Sequence, residues 1–230
     1  MAAKRRVLYV YGGPEFHPTE ACGEALKQIL AADGRFELDI TADLDVFARL
    51  PGSDYAAVVV YTTGFVDELT QAREQGLLDF VEQGGGFVGV HSAIDSFGGS
   101  QRYVQMLNGQ FDTHPPALEF PVKIVQSDHY LTTRMPNFTV VDEMYQLRGF
   151  DPARCTVLAE TQWQGKAAPM VFVRMQGQGR VAYLANGHSL DVWRHPEFRS
   201  LLIRAIAWSS GAELPAHPIR CGLLGYGPAF

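Results

Sequence analysis

Short apolar runs that end at glycine or proline alternate along this chain with segments of helical period, and that alternation constrains the fold more than any other feature. Residues 7–11 (VLYVY) run into Gly12-Gly13-Pro14, as a buried strand does when it delivers the chain into a loop. Cys22, Ala25, Leu26, Ile29 and Leu30 then share one helical face, with Thr19 placed to cap its start and Gly34 to end it. Strands are expected at 36–41 and 56–61. A second helix begins near Thr70, carries Leu77, Phe80 and Val81, and stops at Gly84-Gly85-Gly86, after which 87–90 reads as another strand. This rhythm predicts an α/β fold: a mainly parallel sheet flanked by helices on both faces.

From about 117 to 185 the rhythm changes. Strand-like runs at 120–125, 155–160, 170–175 and 180–185 follow one another with little helical period, and the last three predict a meander or an antiparallel extension of the sheet. A final helix then carries Phe198, Leu201, Leu202, Ala205 and Ile206 on one face, with Gly211 as its stop. At 230 residues and 47% hydrophobic, the chain favours one sizeable core over two small domains.

The charge pattern narrows the function classes. A net charge of -6 without a long run of either sign provides no electrostatic footprint for nucleic acid or an anionic membrane. The one basic cluster, Lys4-Arg5-Arg6, flanks the first strand, and the apolar run after it is too short for a signal peptide or a membrane span. A cytoplasmic setting is expected. Cys22, Cys155 and Cys221 form no C-x-x-C pair, so neither a disulfide framework nor a structural zinc site is indicated.

In an open parallel sheet, ligands bind beyond the carboxyl ends of the strands. His17 lies in the loop after the first strand, His91-Ser92 directly after the strand of GGGFVGV, and Asn186-Gly187-His188 directly after RVAYLA. His114, Asp128-His129 and Asp142-Glu143 sit in connections of the middle region. Each has an ordinary structural explanation as well: a strand-end histidine bonded to backbone, a surface carboxylate, or a turn residue.

GGGFVGVHSA (84–93), FDTHP (111–115), DEMY (142–145) and GQGRVAYLANGH (177–188), closing with the helix FRSLLIRAIAWSSG, together resemble the ThuA-like, or trehalose-utilisation, family from about residue 7 to 211. The resemblance implies a flavodoxin-like, class I glutamine amidotransferase-like fold for a domain at 1–211. It also implies a role in processing sugars oxidised to 3-keto derivatives by a partner NAD-dependent dehydrogenase, fused or separate. One departure from the parent fold is chemical. A glutamine amidotransferase needs a thiolate on an elbow of the form G-x-C-x-G, whereas this chain reads Gly89-Val90-His91-Ser92-Ala93. With no thiol at the elbow, glutaminase activity is not expected. His195-Pro196-Glu197 spells the amidotransferase H-P-E triplet, but Pro196 suits the first position of the final helix and Glu197 its first turn, so His188 is the better counterpart of the catalytic histidine.

Imidazoles and carboxylates gathered at one cleft suit general acid-base work on a carbonyl compound, because a proton next to a ketone is acidic enough for a side-chain base. Removing the C2 proton of a 3-keto glycoside and eliminating the anomeric substituent would cleave the glycosidic bond; lyase, hydrolase and isomerase outcomes all stay open. His91 and His188 lead the catalytic candidates, with Glu143 and His17 beside them. Ser92, His114, Asp128 and Trp193 are the substrate-binding candidates, Trp193 preferred over Trp208 for stacking on a sugar. The cofactor is open: a divalent metal held by His17, His91 and His188 is one alternative. The other function class is a non-catalytic sugar-binding or docking domain that partners a sugar dehydrogenase, and a homodimer is compatible with either.

Residues 212–218, with two prolines, read as a linker. After it, IRCGLLGYGPAF (219–230) is similar to the first strand and glycine turn of a Gfo/Idh/MocA-type dehydrogenase, with Phe230 where the third glycine of the phosphate-binding turn is expected. No helix and no ribose-binding acid follow, so this chain alone is not expected to bind NAD.

Overall fold

The computed structural model describes residues 3–213. The first half runs β1 (Arg5–Gly12), α1 (Thr19–Asp33), β2 (Phe36–Thr41), β3 (Tyr55–Thr62), α2 (Gln71–Glu82), β4 (Gly86–Val90) and α3 (Gln101–Leu107). Six strands follow the crossover: β5 (Gln110–Thr113), β6 (Leu118–Ile124), β7 (Phe138–Asp142), β8 (Gln146–Arg148), β9 (Thr156–Trp163) and β10 (Lys166–Gln176). Then come β11 (Gly179–Leu184), α4 (Leu190–Arg194) and α5 (Pro196–Ser209).

Nine strands form one sheet in the order β2-β1-β3-β4-β11-β10-β9-β6-β7, and β5 pairs with β8 apart from it. The pairs β2-β1, β1-β3, β3-β4 and β4-β11 are parallel, and every pair from β11 to β7 is antiparallel. The parallel half explains the apolar runs. Val7 to Val10, Val58 to Val60 and the whole of β4 are buried, because helices cover both faces and leave no polar side to alternate toward. The registers Gly12↔Thr62 and Val90↔Leu184 bring the carboxyl ends of β1, β3, β4 and β11 into one row.

Several elements differ from the expectation. Thr19 does not cap α1: it is the first helical residue, Pro18 takes the cap position without a side-chain bond, and the Thr19 carbonyl accepts from the buried Tyr9 hydroxyl at 2.6 Å. Gly34 does end the helix, in the left-handed conformation with its N–H donating to the Leu30 carbonyl. β11, expected in a meander with β9 and β10, also pairs with β4 and is thereby the fifth parallel strand. α3, β5, β7 and β8 have no counterpart in the expected elements. The seven residues of α3 are too few to show a period, although Ser100 caps its start, accepting from the Tyr103 N–H at 3.0 Å.

The linker read at 212–218 lies outside the described residues beyond Glu213, and the tail at 219–230 lies wholly outside them. Among the described residues no helix is long and apolar enough to cross a membrane.

β11 starts against the end of α2, and only a glycine fits at the junction. A Cβ on Gly179 would stand 2.0 Å from the Val81 carbonyl oxygen and 2.6 Å from that of Gly85, both backbone atoms that cannot swing aside. Gly179→Ala is therefore expected to lower the unfolding free energy by about 2 kcal/mol or more, the upper range for overpacking, in a urea titration.

Candidate metal centre

His17, His91 and His188 follow β1, β4 and β11, so the parallel register alone carries three imidazoles to one end of the sheet. Their ring centroids are 5.0 Å apart for His17–His91, 5.0 Å for His17–His188 and 5.6 Å for His91–His188. Glu143 arrives from the other side. It follows β7, the far edge of the sheet, and its Oε2 lies 3.2 Å from His91 Nε2, 3.2 Å from His188 Nδ1 and 3.8 Å from His17 Nε2.

Each side chain is held by groups behind it. His91 sits on a sharp elbow with φ of 48°, a left-handed conformation unusual for a residue with a Cβ, and its carbonyl accepts from the Tyr183 hydroxyl at 2.9 Å. Its Nδ1 donates to the Ala185 carbonyl at 2.8 Å, which leaves Nε2 to face Glu143. His17 Nδ1 pairs with Thr63 Oγ1 at 2.7 Å, and that oxygen pairs with Ser92 Oγ at 2.6 Å. Asp142, 2% exposed, secures the fourth group. It accepts from Asn186 Nδ2 (3.1 Å), the Gly187 N–H (2.8 Å) and the His188 N–H (3.2 Å), tying the end of β7 to the loop after β11.

This arrangement leaves polar atoms unsatisfied. His17 Nε2 and His188 Nδ1 are buried without a hydrogen-bond partner. Burial pulls the His17 pKa below the usual imidazole range despite the attraction of Glu143, whereas contact with Glu143 raises that of His188. Burial also pushes the Glu143 carboxyl up, but the three facing imidazoles outweigh it and hold the group well below the usual carboxylate range. One carboxylate cannot neutralise three imidazolium ions packed this closely, and a neutral His91, whose proton is on Nδ1, turns a lone pair toward the carboxylate oxygen. A divalent cation among them would satisfy all four. With metal-ligand bonds of about 2.0–2.1 Å, neighbouring ligands around a tetrahedral ion stand roughly 3.3 Å apart. The four donor atoms here lie within 4.8 Å of one another, and the three contacts of Glu143 bracket that spacing. The Nδ1 bonds of His17 and His91 are of the kind that would orient imidazole ligands.

The centre is walled by aromatic rings. Tyr61 lies 5.9 Å from His17 and 6.1 Å from His91, and its hydroxyl donates to the His188 carbonyl at 3.3 Å. On the other side Tyr145 packs on His91 at 4.1 Å, on Phe111 at 4.5 Å and on His114 at 5.6 Å. His114 Nδ1 donates to the Pro115 carbonyl, and its Nε2 stands 3.7 Å from Oε1, the Glu143 oxygen that the other three histidines leave free. Its side chain is 32% exposed and that of His188 25%, so the centre opens between them.

A family model described as ThuA, trehalose utilisation, matches residues 6–209. The chain belongs to the ThuA family. Membership gives it a carbohydrate-related role. A ThuA-like protein from Parabacteroides merdae superposes with a TM-score of 0.80 at 20% identity, covering 92% of each chain. Another from Bacteroides uniformis gives 0.76 at 23% identity, over 91% of this chain and 93% of that one. A glutamine amidotransferase from Thermotoga maritima gives 0.50 at 14% identity, over 89% of this chain and 99% of that one, a likeness in fold alone. No curated protein matches the chain. The ThuA match stops at residue 209, and the dehydrogenase-like reading of 219–230 is not borne out.

Among the residues singled out from the ThuA-family sequence, His17, His91, Glu143 and His188 meet at the centre and His114 stands at its mouth. Three substrate-binding candidates do not face it. Trp193 is fully buried, stacked on Tyr61 at 5.8 Å, with its indole N–H donating to the Gly187 carbonyl at 2.9 Å; it supports the loop from behind. Ser92 is also fully buried and reaches the centre only through Thr63. Asp128 is exposed beside His129, whose ring packs 5.2 Å from Trp208, which in turn carries Arg180 from the amino end of β11. That is the opposite end of the parallel strands. Among the described residues no thiol reaches the elbow, and burial in the α1 interface pushes the Cys22 pKa up to about 12.

Asp142→Ala leaves three donors facing an emptied site. It is expected to lower the unfolding free energy by about 2–3 kcal/mol, measured by urea titration.

Proposed function

We propose that this protein is a metal-dependent enzyme that acts on an oxidised saccharide, a 3-keto glycoside such as a trehalose-like disaccharide, by removing a proton next to the ketone. The observation that carries this reading is the convergence of three imidazoles and one carboxylate with two buried nitrogens unpartnered. His17, His91, His188 and Glu143 would hold the ion, and nitrogen and oxygen donors without thiolate suit a divalent first-row metal. Bound there, such an ion supplies Lewis acidity toward a ketone or hydroxyl oxygen.

The chain's own groups supply the rest. The Pro115 carbonyl accepts a hydrogen bond from the Nδ1–H of His114, so in the neutral ring Nε2 carries the lone pair, at the open mouth. There it accepts the C2 proton of the substrate. The electrons of the C2–H bond form a C1–C2 double bond as the C1–O bond breaks, and the proton taken up by His114 passes on to the departing oxygen. The pieces balance as an elimination. Tyr145 and Phe111 keep the His114 ring in place and exclude water from its inner face. An NAD-dependent dehydrogenase is the class of reaction that makes such a ketone, which agrees with the carbohydrate-related role of the family.

Purified protein reloaded with zinc or manganese is expected to carry one ion per chain by elemental analysis, to turn over a 3-keto disaccharide, and to lose both on chelation. His91→Ala and Glu143→Gln are expected to lose the ion. Thr63→Val, which removes no proposed ligand but takes away the hydroxyl that partners His17 Nδ1 and Ser92 Oγ, is expected to weaken metal binding about 10- to 100-fold. Undiminished turnover in metal-free protein would refute the metal dependence.

A further inference from the structure

Phe16 is the most exposed large hydrophobic residue of the described chain, at 63%, and it immediately precedes His17. A single exposed phenyl ring is ordinary on a protein surface. This one differs in where it stands and how it is held. Its ring lies 4.7 Å from that of His17, so it borders the metal centre directly. The loop that carries it is braced from beneath: the His17 N–H donates to the Pro14 carbonyl at 3.1 Å, and the Thr63 N–H donates to the Gly12 carbonyl at 3.1 Å.

The neighbouring loop is braced in turn. Phe65 and Phe97 both hold positive φ, 52° and 54°, an unusual conformation for aromatic residues, and their rings stack at 6.3 Å. The Phe65 ring covers Gly12 so closely that a Cβ there would meet it at 2.9 Å. Two loops locked against each other thus hold Phe16 while its ring faces solvent. Burial explains nothing about that ring, since it contributes nothing to the core.

We propose that Phe16 is a stacking platform for the second, non-reacting pyranose ring of a disaccharide, an inference that rests on the saccharide substrate proposed above. A pyranose presents C–H groups on one face, which pack on an aromatic ring, and hydroxyls at its edge, which need polar partners. The centre lies between two aromatic sides, Phe16 against His17 and the Phe111, Tyr145 and His114 group against His91. The reacting unit occupies the mouth beside His114, and its partner extends over Phe16. This subsite selects disaccharides over monosaccharides.

The test uses the full-length, metal-loaded protein and two unoxidised probes, trehalose and glucose, with binding followed by titration calorimetry or saturation-transfer NMR. Phe16→Ala is expected to weaken trehalose binding about five- to tenfold, the range for losing one aromatic contact, and to leave glucose binding and metal content unchanged. Phe16→Trp restores trehalose binding. Equal trehalose affinity in wild type and Phe16→Ala overturns the platform, as does an equal loss for both sugars. If the wild type binds neither sugar and turns over no 3-keto disaccharide, the saccharide reading itself fails; turnover of the 3-keto disaccharide without trehalose binding overturns the platform alone.

Discussion

The carboxylate of Glu143 facing three imidazoles is the interaction on which the arrangement of this end of the molecule depends. The histidines come from the parallel half of the sheet and the carboxylate from the strand farthest from it. β7 stands four strands beyond β11, yet Asp142 at its end accepts three hydrogen bonds from the loop after β11. A flat sheet would keep these segments well apart. Strand twist accumulates across the extension, and register shifts where β10 meets β9 bend it further, so that the outer β6–β7 hairpin returns over the loops of the parallel half. Asp142 fixes that return and Glu143 uses it.

The elbow after β4 gains a different meaning in this setting. In the amidotransferase arrangement an elbow exposes a nucleophile, because a tight strand-to-turn transition pushes one side chain clear of the backbone. Here the same kind of strained backbone, at φ of 48°, presents an imidazole whose other nitrogen is tied to the Ala185 carbonyl. A nucleophile needs a base beside it and an open approach. His91 is fully buried, and what faces it is a carboxylate. The backbone geometry serves to aim a side chain here too, while the residue it aims is suited to hold a cation.

Much of this was legible before any coordinates. Buried parallel strands are continuous apolar runs, so β1, β3 and β4 stood out, and the residues just past their ends, His17 and His91, followed from the rule that ligands gather there. His188 followed in the same way from RVAYLA. What sequence position could not convey was which side chains point inward. Trp193 lies close to His188 along the chain, but Tyr61 and the Gly187 carbonyl take both its ring face and its N–H, which buries it behind the site. Thr63 is an ordinary strand-end threonine until the register sets it beside His17. Asp128 shares the turn-rich middle region with Asp142 and Glu143, and only the curl of the outer hairpin separates them by sending one pair over the centre. β7 itself was missed because its alternating burial leaves Thr139 and Val141 outward, a weaker signal than a continuous run.

Burial across the centre also sets the direction of approach. His91 and His17 are nearly inaccessible, Glu143 is slightly exposed, and His188 and His114 are more so. A substrate therefore meets His114 and His188 first, with the carboxylate between them and the two buried rings beneath. The Nδ1 atoms of His17, His91 and His114 are all committed to oxygen partners, so it is their Nε2 atoms that face the cluster or its mouth. Two of those nitrogens point at the oxygen shared by the centre, and the third stands by the other oxygen of the same carboxylate. Glu143 thus divides the histidines into those that surround a common point and one at the mouth, and on the proposed function that division separates the groups that would hold an ion from the group that would exchange a proton with a substrate.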